Sequence, residues 1–461
     1  MIEVSSFSGI PVGVLGLGKS GFVAAQALAR GGAEVMAWDD DLKKRDAAAE
    51  AGVTIVDLRS ADLAVMPSLV LSPGIPHSHP APHPVVARAR EAGAEIIGDI
   101  ELLARTQRDA AYIGITGTNG KSTTTALIGH ILALAGREVA VGGNLGTPAL
   151  SLAPLGAGGA YVLEMSSYQL ELTFSLEFDI AILLNITPDH LDRHGGMDGY
   201  IAAKRRIFRG QKAPQAAIVG VDDAICGGIE HDLAQAAGQI VIPISAERAV
   251  ARGVYAAGGR LIDDTNGEAI PILEMAGLAR LPGIHNWQNV AAAYSAVRHV
   301  GIATEATASG LHSFPGLAHR QELIATIDGV RYVNDSKATN ADAAAKALAC
   351  YEDIYWIAGG LAKEGGIESL APYHKRIRHA FLIGQAAPAF AATLGGQVPH
   401  SRCGELAAAV AAARELALRE GRPGAIVLLS PACASWDQFA NFEARGEAFR
   451  RLVEALPGRR P

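Results

Sequence analysis

Two glycine turns constrain this chain more than anything else in it. Each stands between an apolar, strand-like run and a helix-like segment. The first, Gly16-x-Gly18-x-x-Gly21, follows "VGVLGLG" (12–18). The second, "GTNGKST" (117–123), follows "AAYIGITG" (110–117). A strand that runs through such a turn into a helix begins a parallel βαβ unit. The helix N-terminus then offers its amides to an anion. The chain is therefore expected to be α/β, with two places that suit phosphate.

The first turn has the dinucleotide pattern. Asp39 ends the next strand, "EVMAWD" (34–39), near the ~20-residue offset at which an acid binds a ribose hydroxyl. Three glycines at this spacing also arise by chance in a chain with 52 of them. A plain tight turn stays open, and so does the identity of any phosphate-bearing ligand. The second turn is far more specific. Gly117, Thr118, Asn119 and Gly120 form a loop whose backbone N–H groups converge on phosphate. Lys121 reaches the β- and γ-phosphates, Ser122 can ligate Mg²⁺, and Thr123 completes the motif. Ile115 stands where the usual pattern has its first glycine. This loop reads as an ATP site, and phosphoryl transfer as the chemistry.

With 461 residues, a prior of ~150 residues per domain gives about three domains. "SLVLSPG" (68–74) adds to the first sheet. "VAVGGN", "AYVLEMSS" and "IAILLNIT" add to a second. A third unit from "FPGLAHR" (314–320) contains "GVRYVNDS", "DIYWIAGG", "AFLIG" and "AIVLLSPA" between Ala-rich helices. The expected fold has an N-terminal Rossmann-like parallel sheet (1–101), a central P-loop-type ATPase α/β domain (102–316) and a C-terminal Rossmann-like α/β domain (317–461). The net charge of −7 argues against nucleic acid, which needs clustered Lys and Arg. No apolar run reaches the ~18 residues of a membrane span. The N-terminus lacks a basic segment followed by an apolar one. Cys226, Cys350, Cys403 and Cys433 form no C-x-x-C pair and read as reduced thiols. A cytoplasmic monomer, off the membrane, is the expectation.

The strings "GTNGKST", "EMSSYQLE", "NITPDHLDRHG", "AAKRRIF", "GIHNWQN", "NDSKATN" and "LLSPACASWDQFANFEARG" occur in this order. Together they resemble the Mur ligase family, from about residue 8 to 452, and most of all its members that add D-glutamate. The resemblance implies an ATP-dependent amide ligase of peptidoglycan precursor synthesis. Its substrates would be UDP-N-acetylmuramoyl-L-alanine and D-glutamate, and its intermediate an acyl phosphate. The first glycine turn would then hold a uridine diphosphate, with no hydride chemistry. Ser20, Asp39, Ser72 and Gly74 are implied around the UDP group, and Asn144, Ser166 and Gln169 along the muramoyl-alanine arm. Two Mg²⁺ ions are implied, with Ser122, Glu164, His190 and a carbamylated Lys204 as ligands. Lys121, His190 and Lys204 are the implied catalytic residues. Asn286, Asn289, Arg320 and Asp335 would serve ATP, and Lys337, Thr339, Lys363, Ser435 and Phe442 the D-glutamate. "DDDLKK" after Asp39 departs from the family's run there, and "AKEGGI" (362–367) is one form of a variable segment. His77, His79 and His83 lie among four prolines with no acidic or cysteine companion, which disfavours a metal site.

The competing readings are a sister Mur ligase, a folylpolyglutamate synthase, a nicotinamide-dependent dehydrogenase using Gly16–Gly21, and a non-catalytic nucleotide sensor. The D-N-P-R string of the diaminopimelate-adding sister is absent from the sequence. A dehydrogenase leaves "GTNGKST" and the third domain unexplained. Lys121, Glu164, His190 and Lys204 together argue against lost catalysis.

Overall fold

The computed structural model describes every residue except Leu145, Lys363, Glu364 and Pro461. The chain divides into two compact units, Met1–Gly277 with Trp287–Phe314, and Leu278–Asn286 with Pro315–Pro461.

The first unit holds two sheets. One is built from β1 (Pro11–Leu15), β2 (Glu34–Trp38), β3 (Ser68–Leu71) and β4 (Glu95–Ile97), in the order β2-β1-β3-β4, all parallel. The chain leaves β1 towards one edge and later returns on its other side. The C-terminal end of β1 is thus a topological switch point, where open α/β sheets bind ligands. The first glycine turn lies there.

The other sheet has nine strands: β5 (Ala111–Thr116), β6 (Val139–Gly143), β7 (Ala160–Glu164), β8 (Ile180–Leu183), β9 (Ala216–Gly220), β10 (Ile240–Ser245), β11 (Val254–Ala257), β12 (Arg260–Asp263) and β13 (Ile270–Glu274). Their order is β13-β12-β11-β10-β9-β8-β5-β7-β6. β5 lies between β7 and β8, so its C-terminal end is again a switch point, and the second glycine turn follows it. The sheet is parallel from β6 to β11 and antiparallel across β11, β12 and β13. β5, β7 and β8 read as near-continuous apolar runs because both faces are covered. One core joins the two sheets, with Val12 and Val14 of β1 and Tyr161 and Leu163 of β7 in the same buried cluster.

The second unit has six strands: β14 (Glu322–Ile327), β15 (Val330–Asn334), β16 (Ile354–Gly359), β17 (Ile377–Ile383), β18 (His400–Gly404) and β19 (Ile426–Leu429), in the order β14-β15-β19-β16-β17-β18. Only the β14–β15 pair is antiparallel. Apolar clusters cover both faces, one around Trp356 and Leu428, the other around Tyr355 and Val427. The fold is thus α/β with three sheets, Rossmann-like at both ends and ATPase-like in the middle. Antiparallel pairing occurs at sheet edges, across β11, β12 and β13 and between β14 and β15.

Candidate active site

The three glycines of the first turn have separate reasons to be there. Gly16 has φ +90°, and a Cβ on it would lie 2.6 Å from Ser72 Cβ. A Cβ on Gly21 would lie 1.8 Å from Gly16 O, so this glycine lets the helix start against the strand end. Gly18 is different. An added Cβ there would meet nothing closer than Ser72 Oγ at 3.9 Å, so the open space in front of it is not claimed by the protein. Gly18 is also the N-cap of the Lys19–Arg30 helix, and no side chain caps that end among the described residues. Its first amides can serve an anion.

Asp39 is buried, and both its oxygens are engaged. Oδ2 accepts the Leu17 N–H at 2.7 Å and Oδ1 the Asp41 N–H at 2.9 Å. It braces the glycine turn from below. Basic groups of this neighbourhood include Lys44, its Nζ 3.5 Å from Asp39 Oδ2, and Arg45 and Arg59, which stack on Trp38 with guanidinium carbons 4.2 and 4.7 Å from the ring centroid. Ser20 and Gln169 both face the buried Asp99, whose carboxyl burial pushes up. The first turn is thereby linked to the residues after β7.

The second turn is uncapped in the same way. Gly120, at φ +88°, is the N-cap of the Lys121–Leu134 helix without a side-chain cap. Its own Cβ would lie 2.3 Å from Asn289 Oδ1. Lys121 Nζ donates to Gly117 O and Thr118 O, both at 2.9 Å. The Asn119 amide donates to Asn185 Oδ1 at 2.8 Å, and Thr118 Oγ1 lies 3.1 Å from Tyr200 OH. Asn185 and Tyr200 were not foreseen from the sequence. Each sits 66 or more residues from the loop it shapes, and no spacing rule links such positions.

The candidate metal residues gather beside this loop. Glu164 ends β7 and is buried. Its Oε2 accepts Ser122 Oγ at 2.5 Å, and its Oε1 accepts Asn144 Nδ2 at 2.8 Å. Asn144 gets there because Gly143, at φ +111°, lets its strand approach Glu164 O, to which the Asn144 amide donates at 2.8 Å. Ser166 and Gln169 form a capping box at the start of the Ser167–Glu171 helix. Lys204 is 2 % exposed and donates to Gly117 O at 2.8 Å. Burial, with the Lys121 charge second, lowers its ammonium from 10.5 to about 7. Asp189 and Glu164 act on it in the opposite sense, so all these groups share one neighbourhood. His190 is exposed, its Nε2 3.4 Å from Asp189 Oδ2 and its ring 5.5 Å from that of Tyr168. It holds φ +52°, a region that costs a non-glycine residue of order 1 kcal/mol or more and recurs at functional sites. Among the described residues no group of three His, Cys, Asp or Glu side chains could hold a metal. The set Ser122, Glu164, His190 and Lys204 draws instead on a hydroxyl, a carboxylate, an imidazole and a lysine. It suits a hard cation once the lysine carries oxygen. Asn289, on the Ile284–His299 helix, accepts Thr124 Oγ1 at 3.3 Å.

In the second unit, Asp335 follows β15 and is buried. Its Oδ2 accepts Ser430 Oγ at 2.8 Å and its Oδ1 the Gln321 N–H at 3.1 Å. Burial pushes its carboxyl from 3.8 up to about 7, with Arg320 acting the other way. Lys337 Nζ stands 4.0 Å over the Phe442 ring, while Ser435 is buried in the turn after β19. Arg445, fully buried, joins the two turns: it donates to Ser336 Oγ at 3.0 Å, Ser336 O at 2.9 Å and Cys433 O at 3.0 Å. It was not foreseen, because nothing in "EARG" marks an arginine as internal. Thr339 lies just past Lys337, to whose carbonyl its amide donates at 2.8 Å. Asn286 Nδ2 donates to Pro282 O at 2.7 Å. Lys363 lies outside the described residues.

The Mur ligase middle domain family matches residues 115–297, and the Mur ligase glutamate ligase domain family matches 319–433. The chain is 55 % identical to a UDP-N-acetylmuramoylalanine–D-glutamate ligase of Rhodospirillum rubrum, over 99 % of this chain and 97 % of that one. It is 50 % identical to the enzyme of the same name from Nitrobacter winogradskyi, over all of both chains. Among solved structures, a UDP-N-acetylmuramate–alanine ligase of Thermotoga maritima superposes with a TM-score of 0.58 at 15 % identity, covering 96 % of this chain and 98 % of that one.

Proposed function

The chain belongs to the Mur ligase family, and from that premise we propose that it joins D-glutamate to UDP-N-acetylmuramoyl-L-alanine with ATP, in peptidoglycan precursor synthesis. The observation that carries the reading is the cluster in which Lys121 and Lys204 meet at Gly117 O while Ser122 is bonded to Glu164. Two anions must come together here, the γ-phosphate and the L-alanyl carboxylate. Cationic and metal-binding groups around one loop make that meeting possible.

The γ-phosphoryl group passes to the carboxylate, which replaces a poor oxide leaving group by phosphate. The D-glutamate amine then attacks the acyl carbon, loses a proton, and phosphate leaves. The uncapped amides from Gly120 onward and Lys121 hold the triphosphate. Mg²⁺, when bound, would supply positive charge against the phosphate and carboxylate oxygens; two ions are inferred. Ser122, Glu164 and His190 would hold them, with Lys204 as its carbamate. An amine brought down to about 7 has a far larger neutral fraction near pH 7 than an ordinary lysine, and the neutral amine is the form that adds CO₂. Gly18, Ser20, Ser72 and Gly74 would take the UDP group, and Asn144, Ser166 and Gln169 the muramoyl-alanine arm. Asn286, Asn289, Arg320 and Asp335 are assigned to ATP. Lys337, Thr339, Lys363, Ser435 and Phe442 are assigned to D-glutamate, whose two carboxylates call for cations and hydroxyls. Domain limits near 101 and 316 belong to the same reading; the first sheet ends at Ile97, the second starts at Ala111 and the third at Glu322. No helix among the described residues is long and apolar enough to cross a membrane. A cytoplasmic monomer that carries all these groups on one chain is part of the same proposal.

Phosphate release should require ATP, Mg²⁺, UDP-N-acetylmuramoyl-L-alanine and D-glutamate together. Turnover with L-lysine or diaminopimelate in place of D-glutamate would move the chain to a sister activity. The carbamate has its own test: enzyme equilibrated with carbon-13 bicarbonate should give a carbamate resonance that Lys204→Ala abolishes. That variant should lose about 10²–10³ in kcat, the scale of a removed transition-state electrostatic contact. A resonance that persists in it would place the modification elsewhere.

A further inference from the structure

The three histidines of "GIPHSHPAPHP" bind separate partners, and one of them leads to a hub. His83 pairs with Asp40 at 3.0 Å. The His79 ring fills the space beside Gly195, where a Cβ would lie 2.7 Å from Nε2. His77 Nε2 meets Glu171 Oε2 at 3.0 Å, and the other Glu171 oxygen meets His194 Nδ1 at 3.2 Å. Burial alone would raise the Glu171 carboxyl, but the hydrogen bonds of His194 and His77 hold it down to about 2.

An ionised carboxylate only accepts, so both histidines must donate to it. The remaining ring atoms agree. His77 Nδ1 faces Arg90 Nη2 at 3.4 Å and can only accept from it, and His194 Nε2 lies 2.9 Å from Ser167 Oγ, which can donate to it. Each ring thus has a partner at both of its nitrogens. His194 is fully buried, stacked on Tyr168 with centroids 5.2 Å apart, and Tyr168 is the ring beside His190. Its neighbour Arg193 donates to Gly74 O at 3.0 Å.

We propose that Glu171 is a positioning residue: through His77 it holds the loop carrying Ser72 and Gly74, and through His194 the turn carrying His190. The UDP-binding loop and the candidate metal turn are thereby set in register. The inference rests on the assignment of Gly74 to the UDP-substrate and of His190 to Mg²⁺. The substrate is long, held at one end and reacting at the other. A fixed span between the two loops sets where its L-alanyl carboxylate arrives, and a misplacement of about 1 Å can cost ~10²-fold in rate.

Glu171→Gln keeps the shape and removes the charge. Calorimetric titration with UDP-N-acetylmuramoyl-L-alanine, without nucleotide, should show its Kd raised about tenfold, the scale of one lost charged hydrogen bond. kcat should fall as well. His77→Ala should raise the same Kd, and the double variant should be no weaker than E171Q alone, since both cut one linkage. Should E171Q fail to fold, H77A alone carries the same expectation for Kd. Additive effects, an unchanged Kd, or a loss seen only in Tm would overturn the proposal. A wild type that turns over this substrate beside an E171Q with unmoved Kd sinks the proposal alone. A wild type that neither binds nor turns it over sinks the functional reading with it.

Discussion

Asp335 shows how one buried side chain sets a pH dependence. Its carboxyl is held at about 7 against an ordinary 3.8 by burial. The folded chain therefore binds this proton more tightly than the unfolded one. The resulting stabilisation is complete below about 4 and is lost as pH rises through about 7. Asp335→Asn removes the titration while its amide still meets Ser430. Relative to wild type, D335N should gain about 2 kcal/mol of stability between pH ~5 and pH ~8, within the ~4 kcal/mol ceiling that such a difference in pKa allows. Urea unfolding at both pH values measures it. Equal differences at the two would mean that the carboxyl titrates elsewhere.

At the scale of the element, the first glycine turn makes a three-way prediction. Gly16→Ala and Gly21→Ala should each destabilise the fold by about 2–4 kcal/mol, because a methyl there strikes Ser72 or the Gly16 carbonyl. Gly18→Ala should leave Tm close to wild type and raise KM for the UDP-substrate about tenfold or more. A Tm loss in Gly18→Ala equal to the other two would make the whole turn structural. Both turns were legible in the sequence because strand, glycine spacing and helix are local signals, and so were the principal strands of all three sheets. β4, β9, β10, β13, β14 and β18 were not singled out: β14, for one, is a half-buried edge strand, and "HSRCG" of β18 has no apolar run. The residues that hold the loops in shape were illegible for another reason. Asn185 reaches Asn119 across 66 positions and Arg445 reaches Ser336 across 109. Such pairs are made by tertiary packing, which no periodicity announces. Glu164, His190 and Lys204 were read through a family resemblance rather than from spacing, and the structure adds why the lysine differs: it is buried beside another lysine.

For the molecule as a whole, two compact units with separate cores imply that unfolding is not a single two-state step. Calorimetry should resolve two transitions. All residues assigned to the UDP-substrate lie in the first unit. That ligand at about 100 times its Kd should stabilise one transition by ~2.7 kcal/mol and leave the other in place. Equal shifts in both, or one cooperative transition, would contradict it. The closeness of Gly120 to Asn289 also bears on antibacterial design. Any side chain at 120 forces the backbone into a disfavoured region and collides with Asn289 Oδ1 at 2.3 Å. A compound seated against that turn would press on a spot where replacing the glycine itself carries a penalty in backbone strain and crowding.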